Sequence, residues 1–69
     1  MSTGTVRSFD SAKGYGFIRP DDGSRDVFVH ASVVEQAGMG VLRVGQKLSY
    51  LLRHDPKTRK NAASDLRPL

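Results

Sequence analysis

The sequence predicts an all-β fold, a five-stranded antiparallel barrel with one short helical turn. Short segments rich in β-branched and aromatic residues recur along the chain, separated by turns that contain glycine, proline or aspartate. Gly38 and Gly40 stop the one helical signal within about two turns. With 69 residues we expect one domain, residues 1–69, whose short strands hide their edges by curling into a barrel.

The first three strands follow from local composition. Met1–Gly4 is expected to fray as a chain end. Thr5–Phe9 is rich in β-branched and aromatic residues and forms the first strand. Tyr15–Arg19, after a glycine-containing turn, forms the second. Pro20–Ser24 predicts a turn, because proline cannot pair in a central strand and Asp-Asp-Gly favours tight turns. Asp26–His30 forms the third strand.

The middle of the chain predicts the helical turn. Within Ala31–Leu42, Ser32 and Glu35 have the spacing of a capping box, in which each side chain binds the other residue's free backbone N–H. We therefore expect one short helical turn, followed by a loop that contains the two glycines.

Two strands complete the barrel. In Lys47–Arg53, Leu48, Tyr50 and Leu52 alternate with more polar positions. A turn is expected at residues 54–57, which contain Asp55 and Pro56. Asn61–Arg67 forms the fifth strand. The expected interior comprises Val6, Ile18, Val27, Val29, Val33, Leu48 and Leu66. A five-stranded, partly open barrel of this kind is the OB-fold, which binds its ligands on the face of strands two and three.

The composition excludes several classes of protein. The chain has no cysteine, and its two histidines are too few for a structural zinc site, so we expect no metal and no cofactor. Its apolar runs are too short for a membrane span or a signal-peptide core, so we expect a cytoplasmic protein without a membrane partner. Eleven Lys/Arg against seven Asp/Glu give a net charge of +4, which favours polyanions such as nucleic acid.

Two short runs carry the functional prediction: residues 13–18, KGYGFI, and residues 26–30, DVFVH. Side chains alternate across a strand, so Ile18 and the valines of the second run share the core face. Tyr15, Phe17, Phe28 and His30 then point outward. Aromatic rings beside basic residues suit stacking against unpaired bases. Phe9 either joins this face or closes the end of the barrel, and His30 either contacts a base or only caps a strand.

Both runs, in this order and spacing, resemble the two ribonucleoprotein motifs of the cold-shock domain family. The resemblance covers nearly the whole chain and includes residues 20–23 and 42–46. It implies a β-barrel that binds single-stranded RNA or DNA with little sequence preference and acts as an RNA chaperone or gene regulator. It further implies contacts from the aromatic and basic residues that match the motifs and the first strand. The basic residues of the Lys57–Lys60 loop either reach the bound strand or are ordinary surface charge. The expected binding residues are Arg7, Phe9, Lys13, Tyr15, Phe17, Phe28, His30 and Arg59.

The chain departs from the family pattern at several positions. Ser8 stands where the family usually has tryptophan, and Ala31 and Met39 stand where it often has aromatics. Asp10 replaces a usual asparagine. Each stacked base is worth roughly 1–3 kcal/mol, so we expect a smaller aromatic surface that depends more on charge.

The sequence also bears on other functions. An OB-fold protein-interaction or regulatory module with an eroded nucleic-acid site is the alternative, and Ser8, Ala31 and Met39 motivate it. An RNA recognition motif is rejected because it needs two amphipathic helices. Gly14 and Gly16 are not a phosphate-binding loop, since no Gly-Lys-Ser/Thr follows them. No nucleophile–base pair is recognisable, so we expect a binding protein, acting as a monomer, and not an enzyme.

Overall fold

The computed structural model describes residues 2–69 and shows a closed barrel in the strand order β1-β2-β3-β5-β4. The all-β OB-fold prediction, with five strands and one short helix, is confirmed. The elements are β1 (Ser2–Asp10), β2 (Tyr15–Pro20), β3 (Val27–His30), α1 (Ala31–Gln36), β4 (Lys47–Asp55) and β5 (Lys60–Pro68).

One strand pair is not antiparallel as predicted. β3 and β5 run parallel and are joined through Phe28 and Ala62, while the other four neighbouring pairs are antiparallel. The reason is geometric, because a closed ring with an odd number of strands cannot alternate in direction all the way round. The parallel contact places the start of β5 beside β3, next to the outward rings.

The start of β1 is ordered by pairing with β4. Ser2 lies opposite Tyr50 and Gly4 opposite Leu48, so the fraying predicted for this segment is wrong for residues 2–4, while Met1 lies outside the described residues. A Cβ atom on Gly4 would lie 2.7 Å from both the carbonyl oxygen of Arg19 and a side-chain carbon of Ile18. Glycine therefore allows β1 to pass close to β2 while it bends toward β4.

The buried core is apolar. It comprises Val6, Ile18, Val27, Val29, Val34, Leu42, Leu48, Tyr50, Ala63 and Leu66. Six of the seven predicted interior residues belong to it, but Val33 is only half-buried and Val34 takes the core position.

The predicted capping box of α1 is also wrong. The N-cap of α1 is His30 and not Ser32, which lies inside the helix and bonds to the His30 ring.

The tip of the β4–β5 hairpin, defined here as residues 51–60, lies outside the barrel wall. Every residue in it is exposed, including Leu52, which the alternation of β4 had grouped with Leu48 and Tyr50. The register of β4 against β5 shifts between Ser49 and Leu51, where the core beneath β4 ends. Both strands extend further than predicted, so the turn lies at residues 56–59 rather than 54–57.

Candidate nucleic-acid interface

The outward face of β2 and β3 carries four rings in two opposed pairs. Tyr15 lies opposite His30 and Phe17 opposite Phe28 in the antiparallel register. The alternate residues of both strands, among them Ile18 and Val29, are fully buried. The prediction that aliphatic side chains fill the core while the rings point outward is thus confirmed. Its cause is the pleat of the two paired strands, which sends successive side chains to opposite faces. We call Tyr15, Phe17, Phe28 and His30 the aromatic face.

The rings of the aromatic face support one another. Tyr15 and Phe28 are stacked, with centroids 5.5 Å apart and planes inclined by 28°. Phe17 meets both rings edge-on at 6.0 Å, and His30 lies 6.4 Å from Phe28. The three larger rings are half-buried, although none belongs to the core cluster or packs against it. Their shelter comes from neighbouring rings, which leaves ring surface open for a flat, apolar ligand.

Gly16 allows the aromatic face to lie close to β1. A Cβ atom here would collide with the carbonyl oxygen of Ser8 and would lie 2.8 Å from the Cα atom of Phe9. The register of β1 against β2 shifts between Val6 and Ser8, so β1 bulges toward this point. Glycine between the two aromatic residues of β2 is therefore a packing requirement of the β1–β2 contact.

The turn between β1 and β2 places Lys13 at the edge of the aromatic face. The Asp10 carboxylate accepts hydrogen bonds from the backbone N–H groups of Ala12 and Lys13, at 3.0 and 3.2 Å. Gly14 adopts a φ of 80°, and its carbonyl accepts a hydrogen bond from the Ala31 N–H at 2.9 Å. The turn that holds Lys13 is thereby tied to the start of α1, and the Lys13 side chain is exposed.

His30 links the aromatic face to the helix. Its Nδ1 atom accepts a hydrogen bond from the backbone N–H of Ser32 at 3.1 Å and lies 2.9 Å from the Ser32 hydroxyl. Because Nδ1 acts as an acceptor, the neutral ring carries its proton on Nε2. The structure therefore shows both a capping role, at a helix rather than a strand, and an exposed ring beside Phe28.

Arg7 is already paired with an acidic residue. Its guanidinium lies 2.6 Å from the carboxylate of Asp26, which precedes β3. The pair crosses from β1 toward the edge of the aromatic face and carries no net charge. Arg7 can still donate to a phosphate through its remaining N–H groups, but it adds less positive potential than an unpaired arginine would.

Phe9 lies at the margin of this surface. Its ring is half-buried and packs against the core. Of the two positions that the sequence allows for Phe9, this agrees with the one that closes the barrel. Met39 is likewise half-buried against the core, whereas Ser8 is exposed. The positions where the sequence lacks the family's aromatics therefore add no ring to the aromatic face.

A groove separates the aromatic face from the hairpin tip. It is lined by Phe17, Arg25, Asp26, Phe28, His54, Arg59, Lys60 and Asn61. Arg59 ends the hairpin turn with a φ of 58°, and its N–H donates to the Asp55 carbonyl at 2.7 Å. The predicted loop arginine thus reaches the same surface as the rings.

The sequence reasoning did not assign Arg25, Asp26, His54 or Asn61 to this surface. Arg25 and Asp26 immediately precede β3, and their position next to its aromatic residues could have identified them from the sequence. Asn61 arrives through the parallel β3–β5 contact, and His54 lies opposite Asn61 on β4; local sequence pattern reveals neither pairing. Within residues 2–69, no three side chains of the kinds that ligate metals come together. None of the helical structure described is long and apolar enough to cross a membrane.

Comparison with known proteins agrees with this geometry. Residues 2–69 match the model of the 'Cold-shock' DNA-binding domain. The chain is 57% identical over 67 residues to cold shock protein CspA of Rhizobium meliloti, covering 97% of each chain. It is 58% identical over 66 residues to the probable cold shock protein y4cH of Sinorhizobium fredii, covering 96% of each. A probable cold shock protein A of Mycobacterium tuberculosis is 46% identical over 57 residues, covering 83% of this chain and 85% of that protein.

The match spans the barrel, the aromatic face and the hairpin together, and it confirms the resemblance that the sequence shows over nearly the whole chain. The chain therefore belongs to the cold-shock DNA-binding domain family and is a nucleic-acid-binding protein of the OB-fold class.

Proposed function

We propose that this protein binds single-stranded RNA and DNA on the aromatic face and holds the strand unpaired. The observation that carries the proposal is the cluster of Tyr15, Phe17 and Phe28, half-exposed rings that shelter one another and do not fill the core. A base in a duplex has both faces covered by its neighbours, so only an unpaired strand can place its bases on such rings.

The mechanism is passive. Bases stack on the three rings, each contributing roughly 1–3 kcal/mol, and the exposed Nε2 edge of His30 donates to a base or phosphate. Lys13 and Arg59 neutralise phosphates at opposite edges of the face. Binding lowers the free energy of the unpaired strand, so weak base pairing is melted by mass action. No nucleotide hydrolysis, metal or cofactor takes part.

The biological role follows from that mechanism. A protein that holds strands open acts as an RNA chaperone, or as a regulator of transcription or translation. The relatives described above carry the name cold shock protein, which supports a role of this kind. We infer that the protein acts as a monomer in the cytoplasm, because one aromatic face suffices as a stacking surface and the RNA of its bacterial relatives lies in that compartment. The same mechanism makes it a binding protein and not an enzyme.

Compared with the family pattern, this chain should obtain less of its affinity for nucleic acid from stacking and more from charge. With Ser8 and Ala31 in place of aromatics, fewer bases stack, and the net charge of +4 supplies more of the affinity. Affinity that depends on phosphate contacts falls steeply with salt because bound counterions are released. We therefore expect a stronger salt dependence than rings alone would produce.

The proposal is tested with a fluorescein-labelled thymidine heptamer and a uridine heptamer, alongside a duplex of the same length, using fluorescence anisotropy at about 50 and 200 mM salt. Both single strands should bind more tightly than the duplex and lose affinity at the higher salt. Phe17→Ala should weaken binding without unfolding the barrel. Val44→Ala removes an apolar side chain that is 74% exposed on a loop, and it should leave affinity unchanged.

The alternative function predicts a different result. If the site is eroded and the barrel instead serves protein interaction or regulation, the wild-type chain will not bind either single strand at low salt. Equal affinities of the wild type and Phe17→Ala, with binding retained, would instead show that the strand lies elsewhere on the surface.

A further inference from the structure

One polar pair in the groove has no part in the mechanism above. His54 and Asn61 lie opposite each other in the β4–β5 register, just where the hairpin leaves the barrel. The Nδ1 atom of His54 lies 3.0 Å from the Oδ1 atom of Asn61. Both side chains line the same groove as Phe17 and Phe28.

The hydrogen bond between them sets the polarity of the pair. An amide oxygen can only accept, so Nδ1 of His54 donates, and the neutral ring keeps its lone pair on Nε2. The oxygen of Asn61 faces His54, so its Nδ2 group retains N–H donors for another partner. The pair thus offers one acceptor and one donor, and each partner fixes the orientation of the other.

The position of the pair relates it to the rings. A base stacked on Phe17 or Phe28 turns its edge sideways, and His54 and Asn61 line the same groove as those rings. The charged groups of the same groove are Arg25 and Asp26 before β3, and Arg59 and Lys60 on the hairpin. The three basic side chains suit phosphates and Asp26 is paired with Arg7, whereas the neutral pair suits the polar edge of a base.

We propose that His54 and Asn61 read the edge of one base bound in this groove and distinguish uracil or thymine from cytosine there. Uracil and thymine present the carbonyl oxygen O4 beside the N3–H donor, whereas cytosine presents the amino group N4 beside the N3 acceptor. The two patterns are opposite, so a fixed donor and acceptor can match only one of them for a given placement of the ring. This inference rests on the proposed binding of single strands.

A purely structural role for the pair makes a distinct prediction. If the hydrogen bond only stabilises the hairpin, its loss would change the melting temperature or lower the affinity for all ligands by the same factor. Base reading instead changes the ratio of affinities between two ligands that differ at one base. That ratio is the quantity to measure.

The experiment uses thymidine heptamers in which each position in turn carries cytidine. For the wild-type chain, one position should show a preference of roughly tenfold or more, since two hydrogen bonds are at stake. In His54→Phe, which keeps a ring but loses both nitrogens, that preference should fall to about twofold or less. Asn61→Leu, which removes the amide, should give the same loss, while the other positions keep their wild-type ratios.

Lys57→Gln serves as the matched control. It removes one charge from the same hairpin, at an exposed residue that does not line the groove. It should weaken every heptamer by a common factor and leave the preference intact. Circular-dichroism melting curves confirm that each variant is folded, and His54 and Asn61 both lie outside the buried core.

The outcomes separate the two proposals. A wild-type chain that binds the heptamers but shows no preference at any position overturns the base-reading role and leaves the proposed function standing. So does a preference that survives in both His54→Phe and Asn61→Leu. A wild-type chain that binds no heptamer refutes the proposed function, and the role of the pair falls with it.

Discussion

The β2–β3 pair and the hairpin tip differ in what lies beneath them. Under β2 and β3, every second side chain enters the core, and Ile18 and Val29 have no exposed surface. Beneath residues 51–60 there is no core, and all ten side chains are exposed. The first region can hold rings in a fixed arrangement, whereas the second can only present groups that need no packing, such as charges.

The chemistry of the two regions follows that difference. The aromatic face carries rings in mutual contact, and the nearby Arg7 is neutralised by Asp26. The hairpin tip carries four basic side chains and one carboxylate: Arg53, Asp55, Lys57, Arg59 and Lys60. The hairpin tip therefore supplies charge without stacking rings, although Lys13 and Arg25 add charge beside the aromatic face, so the two contributions can be separated by mutation.

The largest expected contrast is in stability. Ile18→Ala on β2 removes a completely buried side chain and should lower the free energy of unfolding by about 2–5 kcal/mol. Leu52→Ala on the hairpin tip, where the side chain is 46% exposed, should cost less than about 1 kcal/mol. Urea denaturation followed by circular dichroism compares the two. Equal losses would mean that the hairpin is as much part of the core as β2.

The next contrast is in affinity. Phe28→Ala removes the ring that contacts Tyr15, Phe17 and His30, and should weaken binding of a thymidine heptamer by about 1–3 kcal/mol, roughly 5- to 150-fold. Its stability should change little, because the ring does not pack against the core cluster. Arg59→Gln should cost less, since one surface charge is lost. If Arg59→Gln lowers affinity more than Phe28→Ala does, charge and not stacking makes the main contribution to binding.

A smaller contrast separates two arginines. Arg59→Gln should weaken all single strands by a similar few-fold factor and reduce the slope of log affinity against log salt by about 0.7. Arg7→Gln should change that slope less, because Asp26 already compensates the Arg7 charge at 2.6 Å. Anisotropy titrations over a range of salt measure both slopes. A larger slope change for Arg7 would show that its pairing with Asp26 is broken when the strand binds.

The smallest contrast concerns the part of β4 inside the barrel. Burial, with a contribution from the Asp22 and Asp21 carboxylates, raises the pKa of the Tyr50 hydroxyl above its usual value. The unfolded chain therefore ionises at lower pH than the folded one, so this contribution to stability is complete below about pH 10 and is lost as the pH rises above it. Tyr50→Phe keeps the buried ring but should flatten the alkaline decline, as measured by denaturation between pH 8 and 11. If stability declines equally at alkaline pH in Tyr50→Phe and the wild type, groups other than Tyr50 cause the decline.

The two regions also show how far local sequence pattern can predict this structure. Alternation correctly placed Ile18, Val27 and Val29 inside, because β2 and β3 lie on the barrel wall along their whole length. In β4 the same alternation groups Leu48, Tyr50 and Leu52, of which only Leu48 was predicted to be interior; Leu48 and Tyr50 are buried, whereas Leu52 is exposed because β4 there passes beyond the core. Period-two patterning is informative only where one side of a strand is buried.

Other features depended on contacts between distant segments. The helix was expected, but its cap is His30 and its buried residue is Val34, because the chain enters α1 directly from β3 and the N-cap lies two residues before the predicted Ser32. The groove was not expected, because Asn61 reaches Phe28 only through the parallel closure of the ring. A local pattern cannot specify which strands meet at that closure.

The central claim is that an unpaired strand stacks on Tyr15, Phe17 and Phe28. Its most direct test is a nuclear magnetic resonance titration that follows the aromatic side-chain signals while a thymidine heptamer is added. The buried Tyr50 ring, 1% exposed, provides an internal reference in the same spectrum. We predict large shifts for the three rings of the aromatic face and little change for Tyr50. A strand that binds while those three ring signals stay in place would contradict the account.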